Sequence, residues 1–144
     1  MVRLATLQDI DAIKKIADKH TKEIGFVLRP ALENHCGKGS LLVAELDNQI
    51  VGFCNYHHKR DGINVIYELC VSDDFRHKGI ARELINNIPK PIKLKCPVDN
   101  ESNNFYQHIG AKLVETVKGK KRDLNVYEIG NIYSIGLFSE NPIE

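Results

Sequence analysis

The chain has 144 residues and a mass of 16.3 kDa, the size of one ordinary domain and enough to bury a core without disulfide or metal staples. Its 42% apolar and 27% charged residues exclude wholesale disorder, collagen-like repeats and small disulfide scaffolds. Twenty Lys and Arg against nineteen Asp and Glu leave a formal charge of +1, which offers no counterion-release handle for nucleic acid.

The first strand is expected at Val2 to Ala5, and the first helix after Thr6, with Asp9 three residues on as a partial capping box. Leu7, Ile10, Ile13, Ile16, Ala17 and Ile24 then share one face at helical spacing, and Gly25 ends that helix. Pro30 suits the first turn of a short second helix that closes before Gly37. From Ser40 the period changes: Leu41 to Leu46 reads as a strand, Asp47-Asn48-Gln49 as a turn, and Ile50 to His57 as a second strand. Asp61-Gly62 is a hairpin signal before the longest strand, Ile63 to Val71.

Helical spacing returns at Ile80, Ala81, Leu84, Ile85 and Ile88, and Pro89 and Pro91 stop it. Ile92, Leu94 and Cys96 alternate as a short strand. Asp99 or Asn100 can cap a helix carrying Phe105, Tyr106 and Ile109 that ends at Gly110. Lys112 to Val117 and Leu124 to Ile129 close the pattern as a hairpin whose basic tip is Lys118-Gly119-Lys120-Lys121-Arg122. The crossover from the long strand to Ile92–Cys96 implies one parallel pair in an otherwise antiparallel sheet. The fold class is α/β: a single-domain, mixed, mostly antiparallel sheet with helices on both faces.

No apolar run approaches the ~18 residues of a membrane span, and Met1 to Thr6 carries no apolar signal core. The expectation is a cytoplasmic protein with no membrane and no nucleic-acid partner. Cys36, Cys54, Cys70 and Cys96 are widely spaced, without a Cys-x-x-Cys pair, and read as buried free thiols with no metal site.

The chemistry concentrates in Leu69-Cys70-Val71-Ser72-Asp73-Asp74-Phe75-Arg76-His77-Lys78-Gly79-Ile80-Ala81. A strand ends, a polar and basic loop follows, and a helix opens at Gly79. Unpaired N–H groups and the positive end of the macrodipole make a helix start an anion site. An ordinary junction with solvated basic residues fits the same pattern on physics alone. Gly-x-Gly-x-x-Gly and Walker A patterns are both absent.

At these residues the chain resembles the GNAT superfamily of acetyl-CoA-dependent N-acetyltransferases. Arg76-His77-Lys78-Gly79-Ile80-Ala81 matches its pyrophosphate loop, Gln/Arg-x-x-Gly-x-Gly/Ala, and Leu69-Cys70-Val71 matches its strand ending. Asp99 to Gly110, with Phe105-Tyr106, is similar to its Asn-containing helix start and aromatic–Tyr pair. Two positions depart: Asp99 stands where Asn is frequent, with Asn100 beside it, and Ala111 follows Gly110 where Phe is usual.

The resemblance implies that the parallel pair splays apart and that acetyl-CoA, as co-substrate, is held by Leu69, Cys70 and Val71 along its pantetheine arm. Arg76, His77, Lys78, Gly79, Ile80, Ala81 and Arg82 would cradle its pyrophosphate, with Asn100 and Asn103 as further cofactor-side residues. A primary amine of a small molecule or peptide would attack the thioester directly, with Tyr106 protonating the leaving thiolate. Glu68, His57, His58 or water would take the amine's proton, and Phe26, Leu28, Arg29 and Arg60 would border the acceptor. Residues 1–129 complete the family core. The remainder, 130–144, carries Ile132, Tyr133, Ile135, Leu137 and Phe138, and is expected to add to a sheet edge or cover a homodimer interface.

Overall fold

In the computed structural model, which describes residues 1–130, β1 (Val2–Leu4) leads through a 3-10 turn at Leu7–Asp9 into α1 (Ile10–Asp18), α2 (Thr21–Ile24) and α3 (Arg29–Gly37). Next come β2 (Leu41–Leu46), β3 (Gln49–His58) and β4 (Asn64–Val71), and a 3-10 turn at Asp73–Phe75. The chain continues with α4 (Ile80–Asn86), β5 (Ile92–Pro97), α5 (Ser102–His108), β6 (Lys112–Lys118) and β7 (Asp123–Ile129). The strand order is β1-β2-β3-β4-β5-β7-β6, a mixed sheet in which β4 and β5 form the parallel pair. The expectation for the tail falls on residues 131–144, outside the described residues. The described residues divide into two compact units: Met1–His57 with Tyr67–Ile88, and His58–Ile66 with residues 89–130.

The first unit starts from a buried charge. Asp9 takes two hydrogen bonds from the Arg3 guanidinium, at 2.8 and 3.0 Å, and one from the Thr6 N–H at 2.8 Å. The carboxylate thereby ties β1 to the start of α1 and sits well below its ordinary pKa, chiefly through Arg3. Ile10, Ile13, Ile16 and Ala17 then pack with Leu32, Leu41, Val43 and Phe53 in one buried cluster. Leu7 is not on that stripe. It lies in the 3-10 turn ahead of α1 and is 69% exposed.

The expected single helix to Ile24 is broken at His20, whose backbone leaves the helical region at φ −128 and ψ 31. Its carbonyl accepts the N–H groups of Glu23 and Ile24, both at 3.0 Å, and so starts α2. α3 includes Gly37, and the reversal comes two residues later at Gly39, with φ 74. The β2–β3 turn is tighter than expected. Asp47 and Asn48 both take positive φ, 53 and 63, and Gln49 already pairs with Leu46.

Alternation sets the two faces here. Phe53 faces the α1–α3 cluster, while the neighbouring Gly52 faces α4. A Cβ on Gly52 would stand 3.1 Å from the Cys70 carbonyl and 3.5 Å from Ile80, so glycine lets the end of β4 and the start of α4 close over β3.

In the second unit, Gly62 at φ 88 and the Asp61 carboxylate, which accepts the Ile63 N–H at 3.0 Å, build the turn into β4. Parallel pairing runs only from Asn64↔Ile92 to Ile66↔Leu94. β5 then pairs antiparallel with β7 along its whole length, and β7 with β6. Among the described residues no helix is long and apolar enough to cross a membrane.

Candidate active site

The sequence pattern places the expected cofactor loop at the end of β4, and the structure gives it a definite shape. After Val71 the 3-10 turn Asp73–Phe75 reverses the chain, a turn that the pattern did not reveal. His77 and Gly79 both take positive φ, 63 and 82, and α4 opens at Ile80. The first intrahelical bond runs from the Glu83 N–H to the Gly79 carbonyl at 3.0 Å. The N–H groups of Ile80, Ala81 and Arg82 therefore precede the helical ladder, and no side chain caps them. His77, Lys78 and Arg82 are exposed beside them.

Arg76 points elsewhere. Its Nε donates to the Val71 carbonyl at 3.0 Å, and its Nη2 lies 3.3 Å from His20 Nδ1. Cys70 and Val71 are buried and Leu69 half-buried, and burial pushes the Cys70 thiol up to about 11. With Cys54 and Cys96 also buried and free, these thiols are inert packing groups at neutral pH.

Glu68 is half-buried on β4 and accepts the side-chain N–H of Asn55 at 2.7 Å. Burial raises its pKa, and the Asn55 hydrogen bond offsets only part of that rise. Asn55 escaped the sequence reading. Its signal was a lone amide inside the apolar run Ile50 to Tyr56.

The two histidines of β3 separate in role. His57 stacks on Tyr67 at 6.1 Å with a 6° tilt, and His35 of α3 meets the same ring edge-on at 5.7 Å. His58 Nδ1 lies 2.9 Å from Asn64 Oδ1, while Asn64 donates to the Pro89 carbonyl at 2.8 Å. That bond makes His58 Nδ1 the donor and His58 a pin at the start of β4.

In the second unit the helix start is built by asparagines. Asn100 Oδ1 accepts the Ser102 N–H at 2.8 Å, so the cap lies where expected, although Glu101 is the residue bordering α5. Asn103, expected on the cofactor side, makes four close hydrogen bonds within the chain. Its amide donates to the Pro97 and Asn100 carbonyls at 2.8 and 2.7 Å, and its oxygen accepts from Tyr127 OH at 2.7 Å and Asn125 at 2.9 Å. Every polar atom of that side chain is spent fastening α5 to β5 and β7. Tyr106 is buried on α5, 5.6 Å from the Tyr127 ring and 5.3 Å from the Phe105 ring. Asp99 is exposed and pairs with Arg122 at 3.2 Å.

Comparison with known proteins agrees with this architecture. The acetyltransferase (GNAT) domain model matches residues 37–110, just over half of the chain. An uncharacterized N-acetyltransferase of Chlorobaculum tepidum is 28% identical over 119 residues, covering 79% of this chain and 76% of its own. Ard1 of Thermoplasma volcanium superposes with a TM-score of 0.76 at 17% identity, over 90% of this chain and 95% of its own. Arabidopsis thaliana Naa50, solved in complex with the bisubstrate analogue CoA-Ac-MVNAL, gives 0.72 at 18% identity over 91% and 98% of the two chains. The matched domain model spans the β4 ending, the positive-φ loop, α4 and the Tyr106 helix, and on that ground the chain is a member of the GNAT acetyltransferase family, an acyltransferase.

Proposed function

We propose that the protein transfers the acetyl group of acetyl-CoA to a primary amine, by direct attack within a ternary complex. The observation that carries this reading is the turn at Gly79. Its left-handed φ of 82 delivers three uncapped N–H groups at Ile80–Arg82, on the loop that follows a buried strand end. Such a cradle suits a pyrophosphate, and the exposed Lys78 and Arg82 add charge to it. In this scheme Leu69–Val71 bond the pantetheine arm through their backbone, as an added strand would. Naa50 was solved with a CoA-linked peptide analogue, which supports CoA as the carrier and makes a peptide N-terminus the first acceptor class to try.

The chemistry asks three things of the chain. A neutral amine must form, and Glu68, ionised and held by Asn55, takes the proton directly or through water. The tetrahedral oxyanion needs a donor, for which a strand N–H near Val71 serves. The leaving thiolate needs a proton, and the Tyr106 hydroxyl supplies it.

Thiol release from acetyl-CoA, measured with and without small amines and peptides, tests the reading. Acceptor-dependent release with stoichiometric acetylation is expected. Binding of acetyl-CoA with only acceptor-independent hydrolysis would instead mark a CoA-binding module without transfer activity.

A further inference from the structure

We propose that Arg76 and His20 are positioning residues for the phosphate loop: Arg76 braces the loop against β4 and α2 and does not contact phosphate itself. The inference rests on the acetyl-CoA reading above and assigns the loop's signature arginine a different task from its neighbours.

The bracing contacts come from three directions. Arg76 Nε reaches back five residues to the Val71 carbonyl at 3.0 Å, closing the loop on the end of β4. The same nitrogen lies 3.5 Å from Asp73 Oδ1 in the 3-10 turn. Nη2 lies 3.3 Å from Nδ1 of His20, the residue that caps α2, and 4.0 Å from Glu23 Oε2 on α2. His20 in turn lies 3.1 Å from Glu23 through Nδ1 and 3.7 Å from Asp73 through Nε2, and its side chain is only 6% exposed.

A guanidinium reserved for an anion would present its planar fork to that anion. Here Arg76 is turned into a carbonyl, two carboxylates and an imidazole. Its charge is already compensated, and its geometric effect is to fix the turn that brings His77 and Gly79 into positive φ. The break in the first helix belongs to the same device. His20 occupies the position four residues after Ile16, on the apolar face of α1, yet leaves helical geometry and directs a polar ring to the loop. The affinity of the loop for pyrophosphate is therefore set in part by α2.

The test is a double-variant cycle read by calorimetry with acetyl-CoA, and with S-acetylpantetheine, which lacks the pyrophosphate. Arg76→Ala and His20→Ala should each weaken acetyl-CoA binding by roughly 5- to 20-fold, with the double variant no weaker than the worse single, since both remove one brace. Binding of S-acetylpantetheine should not change. His20→Asn, whose amide oxygen can accept from Arg76 while its nitrogen donates to Glu23 or Asp73, should recover most of the loss, which separates bracing from a general loss of packing. Turnover at saturating acetyl-CoA should stay at the wild-type level, the effect lying in KM. Additive losses in the double variant, or a His20→Ala protein within twofold of wild type while Arg76→Ala is weakened, would make Arg76 a direct phosphate ligand and overturn the inference. A wild-type protein that fails to bind acetyl-CoA would instead overturn the functional reading, before any variant is compared.

Discussion

The side-chain amide of Asn55 donates to the Glu68 carboxylate at 2.7 Å, while the amide's own oxygen is buried without a hydrogen-bond partner among the described residues. A buried polar atom left unpaired costs about 1–3 kcal/mol, so the pairing carries a penalty that an apolar residue on β3 would avoid. The arrangement favours the ionised carboxylate with one strong bond and opposes it by burial. On β3 the Cys54 thiol feels this charge: it is raised mainly by its own burial and further by Glu68.

The first prediction follows from that balance. If Glu68 is the base, it works only when ionised, and its pKa lies above the usual carboxylate value because burial outweighs the Asn55 bond. Activity should therefore fall as pH drops through this raised value. Asn55→Ala removes the donor that stabilises the charged form, so the acidic limb of kcat/KM should move to higher pH. Glu68→Gln should abolish the limb. An Asn55→Ala profile superimposable on wild type would detach the pair from catalysis.

The second prediction concerns the phosphate cradle. A Cβ at Gly79 meets no atom within 4 Å, so added bulk is accommodated, but φ 82 makes any L side chain strained. Gly79→Ala should cost about 1–2 kcal/mol of stability and leave the protein folded. Gly79→Glu should add a negative charge over the same N–H groups and weaken acetyl-CoA by at least about tenfold, one step of 1.4 kcal/mol. Calorimetry on both variants decides: equal affinities in folded Ala and Glu proteins would mean that the helix start does not face the pyrophosphate.

The third prediction tests the lock between β1 and α1. Asp9 is 8% exposed and receives the bidentate Arg3 bonds together with the Thr6 N–H. Asp9→Asn should cost about 1.5–3 kcal/mol in urea unfolding, the range for hydrogen bonds to charged groups. The pH dependence has a definite sign. Because the folded pKa of Asp9 is depressed, the stabilisation is complete above the unfolded value near 3.9 and disappears as pH falls through the folded value. The difference between wild type and Asp9→Asn should therefore shrink on acidification. A constant gap from neutral pH to below pH 3 would assign the effect to packing.

What was legible in the sequence was whatever one period or one turn residue controls. Asp61-Gly62 and the alternation on either side are enough to place β3 and β4, and the loop at Arg76–Ala81 was found because its glycine spacing reflects a backbone need at Gly79. Long-range polar pairing was not legible. The stripe Ile10, Ile13, Ile16, Ala17, Ile24 runs through His20 without interruption, and only the contact with Arg76, 56 residues away in sequence, shows why the helix breaks there. The partners of Asn103 are hidden in the same way, because Tyr127 and Asn125 come back to it from β7. Asn55 was hidden for the same reason, its partner lying on the next strand.

The last prediction separates chemistry from architecture on α5. Tyr106 is buried between the Phe105 and Tyr127 rings, and its carbonyl accepts the Ala111 N–H at 2.9 Å, so its position is fixed by packing and backbone. Tyr106→Phe keeps that ring in place and removes the hydroxyl proton. If this proton goes to the departing thiolate, kcat should fall by roughly ten- to a thousandfold while the affinity for acetyl-CoA stays constant. Asn103→Ala should behave in the opposite way. It removes the hydrogen bonds made by the Tyr127 hydroxyl, the Asn125 amide and the Pro97 and Asn100 carbonyls to Asn103, so the melting temperature should drop, and any loss of activity should follow the loss of folded protein. A Tyr106→Phe protein with wild-type turnover, measured where the chemical step limits the rate, would reduce Tyr106 to a packing residue and transfer the proton donation to solvent.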